Sequence, residues 1–513
     1  MTNTVFSNGW LTVPLSDLLM SLETGSRPKG GVRGITAGIP SLGGEHLDSN
    51  GGFKLDNIRY VPLEFAELMT RGAINNGDIL VVKDGATTGK VSFVDNSFPL
   101  SIAVVNEHVF LCRCSSLLNS KYIFFYLFSN SGNQQILEDF RGAAQGGISQ
   151  RFADLVKVPL APAAEQTRIV EKLEELFSDL DAGVAELKAA QKKLAQYRQS
   201  LLKAAVEGEL TAEWRTKNTP KETGVQLLKR ILKERRTLWE EKQLAKFKEQ
   251  GKTPPKGWQD KYPEPVQPDT TNLLELPEGW VWASVEQISS CVADGVHKKP
   301  NYVSQGIPFV TVRNLTAGPG ICFKNIKYIT LNDHLEFIKR THPERGDILI
   351  SKDGTLGVTR VINTDVDFSI FVSVALVKPV LKSMSQFLGI AFTSPVVQRQ
   401  MTPKGSGLVH IHLEDLRKDC IPLPPSSEQQ EIYKIVETCL NEVESQELAI
   451  QHSLTQAAAQ RKNILKSAFS GQLVLQDPND EPASLLLERI RAERQKGESS
   501  TKKRSSRKKV AKL

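Results

Sequence analysis

The chain repeats itself once, at an interval far too long for a solenoid module. Gly9-Trp10 returns as Gly279-Trp280, 270 positions later, and Gly38-Ile39-Pro40 returns as Gly306-Ile307-Pro308, 268 later. Asn57-Ile58-Arg59-Tyr60-Val61 becomes Asn325-Ile326-Lys327-Tyr328-Ile329, again at 268. Gly77-Asp78-Ile79-Leu80, followed by Lys83-Asp84-Gly85, returns at 269 as Gly346-Asp347-Ile348-Leu349 with Lys352-Asp353-Gly354. Val158-Pro159-Leu160-Ala161-Pro162 and Glu165-Gln166 return at 263 as Ile421-Pro422-Leu423-Pro424-Pro425 and Glu428-Gln429. The order never changes, so the chain is two duplicated halves. The interval drifts through the front of each half, then holds at 263 from Pro159 to Gly208. Drifting intervals suit loops on a scaffold, whereas a fixed one suits a rigid rod.

That rod reads as a helix. Steps of four and three from Ile169 meet Leu173, Leu176, Leu180, Leu187, Leu194 and Leu201, a heptad seam. Adding 263 gives Ile432, Val436, Val443, Ile450 and Ile464 in the same register. Pro162 and Pro425 precede the helix starts, and Gly208 and Gly471 are natural stops. Each helix should run roughly 40 residues, or roughly 60 Å. The chain must return between them, so they should pair antiparallel. The front parts read as mixed domains: GDILVVKDG and GDILISKDG are short strands ended by Asp-Gly turns, with a helix expected near residues 120–130. The fold class expected is α+β: two mixed α/β domains separated by two long antiparallel coiled-coil helices, in pseudo-twofold duplicated halves. Leu227-Leu228-Lys229-Arg230-Ile231 also resembles Leu486-Leu487-Glu488-Arg489-Ile490, so the duplication extends past the long helices. Pro254, Pro255, Pro263, Pro265 and Pro268 read as an extended linker.

Charge is informative only when localised. Residues 496–513 carry eight Lys/Arg and one Glu, which accounts for the whole net charge of +7. The rest of the chain has 57 basic and 57 acidic residues. The tail is compositionally disordered, either a solvated end or a nonspecific phosphate grip. The start of the chain has no secretory pattern and the most apolar run, 122–128, is too short to cross a bilayer, so a cytoplasmic protein is expected. Six scattered cysteines form no CxxC, which argues for free thiols and against a zinc ribbon. The stretch Gly85-Ala86-Thr87-Thr88-Gly89-Lys90-Val91 is one residue short of a nucleotide-binding loop and lacks its hydroxyl, and the second copy loses the lysine. No GxGxxG follows a strand. Asp477-Pro478-Asn479-Asp480 falls short of the D/N-P-P-aromatic motif of an adenine methyltransferase. His410 and His412 alternate as metal ligands would, but have no third ligand nearby in sequence, so no metal is expected.

Two divergent front domains, each followed by a fixed-length helix opening on Pro-Leu-x-Pro-x-x-Glu-Gln, resemble the specificity (S) subunit of type I restriction-modification systems. The residues that carry the likeness are 158–166 and 421–429, the two GDIL-x-x-KDG strands, the two Gly-Trp starts, and the helix ends LLKAAVEGEL and ILKSAFSGQL. The resemblance covers nearly the whole chain. It implies target-recognition domains at 1–164 and 276–427, spacer helices at 165–215 and 428–472, a helical and Pro-rich connector at 216–275, and a C-terminal extension at 473–513. It implies a sequence-specific DNA-binding subunit without catalysis of its own, in which each domain reads one half of a bipartite double-stranded site. The helices would set the spacing and dock two modification (methyltransferase) subunits, with two restriction subunits joining the full complex. No cofactor is expected on this chain; S-adenosylmethionine, ATP and Mg belong to the partners. The rival readings are an enzyme that acts on DNA unaided and a coiled-coil adaptor with no DNA role.

Phosphate contacts need Lys or Arg in loops, and base reading favours Arg, Lys, Asn and Gln. The candidates are Arg27, Lys29, Lys83, Lys90, Arg141, Gln145 and Arg151 in the first domain. In the second they are Lys298, Lys299, Arg313, Asn314, Lys352, Arg399 and Lys404. The Lys-Asp-Gly of both copies suggests a shared turn or backbone contact more than base discrimination.

Overall fold

The computed structural model describes residues 9–142, 146–404 and 409–510; Gln145 lies outside the described residues. The chain forms two compact units, Met1–Lys188 with Gln451–Leu513, and Ala189–Ile450.

In the first unit, Leu11–Pro14 pairs antiparallel with Lys157–Leu160, closing the domain at its two chain ends. A four-stranded antiparallel sheet runs in the order Leu19–Thr24, Val109–Cys114, Ile79–Val82, Val91–Phe93. A three-stranded sheet places Ile39–Leu42 between Arg59–Val61 and Val104–Val105. The second unit repeats the plan. Val281–Ser284 pairs with Cys420–Leu423, and its four-stranded sheet runs Ser289–Asp294, Val374–Pro379, Ile348–Ser351, Thr359–Val361. Its other sheet has an added edge strand, Tyr302–Val303.

The repeated motifs acquire physical reasons here. Ile79–Val82 and Ile348–Ser351 are buried throughout, as suits β-branched runs inside a covered sheet. Asp78, ahead of the first, accepts from Arg113 Nη2 at 2.8 Å and from Asn75 N at 2.8 Å. Asp347 accepts from Lys378 Nζ at 2.6 Å and from Glu344 N at 2.9 Å. Asn57 and Asn325, at one repeat position, both have φ 58°, and no other non-glycine among the described residues has a positive φ. Asparagine tolerates that left-handed conformation better than most residues do.

The long helices are Ala163–Glu207, 45 residues, and Ser426–Phe469, 44 residues. Each opening is fastened in the same way. Trp10 Nε1 donates to Glu165 Oε2 at 2.8 Å, and Trp280 Nε1 to Glu428 Oε2 at 2.9 Å. Gln166 and Gln429 turn back to donate to the carbonyls of Ala161 and Pro424. The Gly-Trp and Glu-Gln motifs are therefore two halves of one clamp.

The helices run antiparallel within each unit. In the first, Arg461 pairs with Asp181 and lies over the Phe177 ring at 4.4 Å. In the second, Arg198 meets Glu447 at 3.0 Å while Thr211, further on, meets Glu428 at 2.6 Å. Ile169, Leu173, Leu201, Ile432, Val436, Val443 and Ile450 are buried, whereas Leu176, Leu180, Leu187, Leu194 and Ile464 are half-buried. Ile169, Leu173, Leu201, Ile432 and Val436 gain cover from the domain cores they join. A pair of helices alone leaves the flank of each seam residue open.

Two expectations need correction. In the connector, Gly224–Glu249 is a helix whose Leu227 and Ile231 are buried in the second unit's core. The proline-rich segment folds back on that helix, with Trp258 stacked on Trp239 at 5.8 Å, because its aromatic residues have apolar surface to bury. The tail that composition marks as disordered continues the helix Ala483–Val510; no proline interrupts it, and Lys and Arg favour helices. The two helices are equivalents. Gly224 N donates to Gly279 O at 2.6 Å, and Ala483 N to Gly9 O at 3.0 Å. Leu486, Leu487 and Ile490 are buried in the first unit's core.

Candidate nucleic-acid interface

In each unit the central strand of the four-stranded sheet runs out into the Lys-Asp-Gly turn. Gly85 and Gly354 have φ of +93° and +75°, so both turns use a conformation glycine favours. A glycine-bearing loop is stitched alongside. Arg141 and Gly147 exchange both backbone hydrogen bonds at 2.9 Å, and Ile148 N donates to Lys83 O at 2.8 Å. Lys404 and His410 make the same exchange at 3.0 Å, with Ile411 N donating to Lys352 O at 2.9 Å. The retained Lys-Asp-Gly is thus the backbone seat of a second loop.

A third segment joins them, the loop leaving the first strand of that sheet. It holds Arg27 and Lys29 in one unit, Lys298 and Lys299 in the other. Its root is a close backbone crossing. A Cβ at Gly25 would stand 1.5 Å from Val105 O, and one at Gly295 2.0 Å from Ile370 O. These glycines are 270 positions apart, a further repeat position that stands outside the motifs legible in the sequence.

The polar groups at this junction differ between units. In the first, His108 Nδ1 lies 2.5 Å from Asp84 Oδ1, and Arg27 meets Glu107 at 3.2 Å. In the second, Lys352 is buried and pairs with Asp294 at 3.3 Å, beside Arg340 at 2.6 Å. Burial pushes the Asp294 carboxyl up, but Arg340 and Lys352 more than offset this and hold it below the usual carboxylate range.

The candidates therefore sort by position. Lys29, Arg141, Arg151, Lys298, Lys299, Arg313, Arg399 and Lys404 are exposed. Arg27 and Lys83 are half-buried and lie at the junction just described. Three have structural work instead. Lys352 is taken up by Asp294. Lys90 donates to Leu47 O at 3.2 Å. Asn314 is buried and accepts from Thr311 N at 2.9 Å at the start of the helix Val312–Thr316. Sequence reasoning passed over exposed Arg33, Asn301 and Gln305 on the first-strand loops, and the acids Asp84 and Glu107. A search for bases overlooks carboxylates, although they can accept from cytosine amines. The His410 and His412 rings lie 4.5 Å apart, and among the described residues no group of three or more His, Cys, Asp or Glu is placed to hold a metal.

The family model for the type I restriction modification DNA specificity domain matches this chain twice, at residues 9–189 and 277–456. The chain belongs to that family. Its two matched segments are the two halves of the duplication, each a sheet domain with the opening of a long helix. The chain is 26% identical to the type I restriction enzyme EcoBI specificity subunit of Escherichia coli, over 98% of this chain and 97% of the relative. It is 24% identical to the EcoKI specificity subunit of Escherichia coli strain K12, over 90% and 89%. It shares the fold of a chain solved in work on complex assembly and conformational transition of the type I R-M system, with a TM-score of 0.63 and 18% identity over 91% of this chain and 99% of that one. As a type I specificity subunit the chain serves sequence-specific DNA recognition, as a non-catalytic component of its system. No helix among the described residues is long and apolar enough to cross a membrane.

Proposed function

We propose that each domain reads one half of a bipartite double-stranded DNA site, and that the two long helices set the gap and dock two modification subunits. One observation carries this reading: the framework is duplicated down to single hydrogen bonds, while the loops at the reading junction differ. Two equivalent frames suit two half-sites on one duplex. Different loops, including an added strand and a different charge network in the second unit, suit two different half-sequences. The bases are then read by the exposed Lys and Arg side chains and the polar residues beside them, with Lys-Asp-Gly seating the loops.

Methyl transfer and cleavage fall to the partner subunits under this proposal, which supply S-adenosylmethionine, ATP and Mg; two restriction subunits complete the assembly. Sequencing methylated adenines in cells with and without the chain tests the reading. The expected result is a split motif that vanishes with the chain. Methyl transfer by the pure chain alone, or a methylation pattern indifferent to it, would overturn the proposal.

A further inference from the structure

Outside residues 496–513 the chain is formally neutral, yet it serves recognition of a polyanion. Its excess positive charge sits at the far end of one of two equivalent helices, Gly224–Glu249 and Ala483–Val510. Each is rooted the same way. Leu227 and Ile231, or Leu486 and Ile490, enter the core. One turn later, Arg235 Nε donates to Glu286 O at 3.1 Å and Arg494 Nη1 to Ser16 O at 2.7 Å. Beyond that root both segments carry lysines, with seven Lys/Arg against five Asp/Glu over 236–264 and eight against one over 496–513. Lys242, Lys246, Lys248, Lys252, Lys256 and Lys261 are exposed, and none makes an ion pair among the described residues. In sequence, the other helix carries Lys502, Lys503, Arg504, Arg507, Lys508 and Lys509, which align with 243–250 at the 259-residue offset of the two roots, while Lys252, Lys256 and Lys261 follow the end of their helix.

We infer that these are two phosphate-gripping arms, one per unit, that hold the duplex outside the bases being read. A lysine on a flexible stem is a point charge suited to phosphate and carries no base preference. The placement agrees. In the first unit the arm's root, through Glu493 on Ser116 at 3.0 Å, sits past the sheet end where Leu19 faces Cys114. The Lys-Asp-Gly turn leaves the opposite end, where Val82 faces Val109. A strand of six residues spans about 20 Å, so the arm's root stands about the length of six base pairs from the turn. The inference needs only that the chain binds DNA, not that its site is split.

The test is the salt dependence of binding by the full-length chain to two duplexes, one with the methylated motif and one without. Two variants are compared: a stop after Lys496, and the six-fold exchange of Lys242, Lys246, Lys248, Lys252, Lys256 and Lys261 to Gln. Unchanged thermal unfolding verifies the fold of each. Each phosphate that is no longer neutralised should make the slope of log K against log salt shallower by about 0.9, so removing an arm that grips three phosphates gives a change of about 3. The change should be equal on both duplexes, and the methylated motif should stay the same. An unchanged slope overturns the inference. So does a loss confined to the motif-bearing duplex, which would make these residues base readers. Loss of co-purifying modification subunits with an intact slope would make them a protein-docking surface and overturn it as well. If the slope becomes shallower but the mapped motif is not split, the arms stand and the half-site reading fails.

Discussion

The indole of Trp10 is hydrogen-bonded to the carboxylate of Glu165 at 2.8 Å, joining the first strand to the first turn of the long helix. Trp280 and Glu428 repeat the bond, but their surroundings differ. Glu428 also accepts from Thr211 and Arg215, both at 2.6 Å, whereas among the described residues Glu165 has Gln476 alone besides, at 3.3 Å. Trp10→Phe should therefore cost more than Trp280→Phe. Leaving a buried acceptor short of a donor costs about 1–3 kcal/mol, and Glu165 has the poorer reserve. Hydrogen exchange in the first turns of each long helix reads the local loss. Equal protection in both variants and the native chain would count against the clamp.

The C-terminal helix completes the N-terminal domain. Ending the chain after Pro482 removes Leu486, Leu487 and Ile490 from the first core. Each buried side chain of this kind is worth roughly 1.5–3 kcal/mol, so the first unit should melt well before the second. Limited proteolysis during heating should then cut within residues 9–142 first. A stop after Lys496 leaves the buried root in place and should not change melting.

What the sequence made legible was whatever the duplication preserved. The long helices, the buried strands and the Lys-Asp-Gly turns all stand at repeat positions. Glu165-Gln166 was visible as a motif, but its partner Trp10 lies 155 positions away, and only folding brings them together. Exposure was least legible. Lys352 and Lys83 share a motif, yet the first is buried against Asp294 and the second is not, because Asp294 has no acidic counterpart at Thr24. The proline-rich segment misled because proline content reports extension, whereas Trp258 and Tyr262 decide what that extension packs against.

Asp419 gives the second unit a pH dependence. Burial, and then the neighbouring Asp415, raise its carboxyl from the usual value to about 7. The folded state therefore holds a proton that the unfolded chain releases near pH 4. Stability falls as pH rises from that value through about 7, and the penalty is complete above it. Asp419→Asn should melt like the native chain near pH 3.5, begin to exceed it by pH 5, and be well above it near pH 8. Identical melting of the two at the higher pH would show that the buried carboxylate carries no penalty.

If the long helices set the gap between half-sites, their length should be readable in the methylated sequence. Lengthening one helix alone would shift its seam against its antiparallel partner. A fair test therefore inserts seven residues in both, within 187–194 and within 446–453, which preserves the heptad register of each. Seven residues add about 10.5 Å of helix, close to three base pairs of duplex. Mapping methylated adenines should then recover both half-sites unchanged, with about three more unread positions between them. Altered half-site bases with the original gap would mean that the helices govern reading rather than spacing.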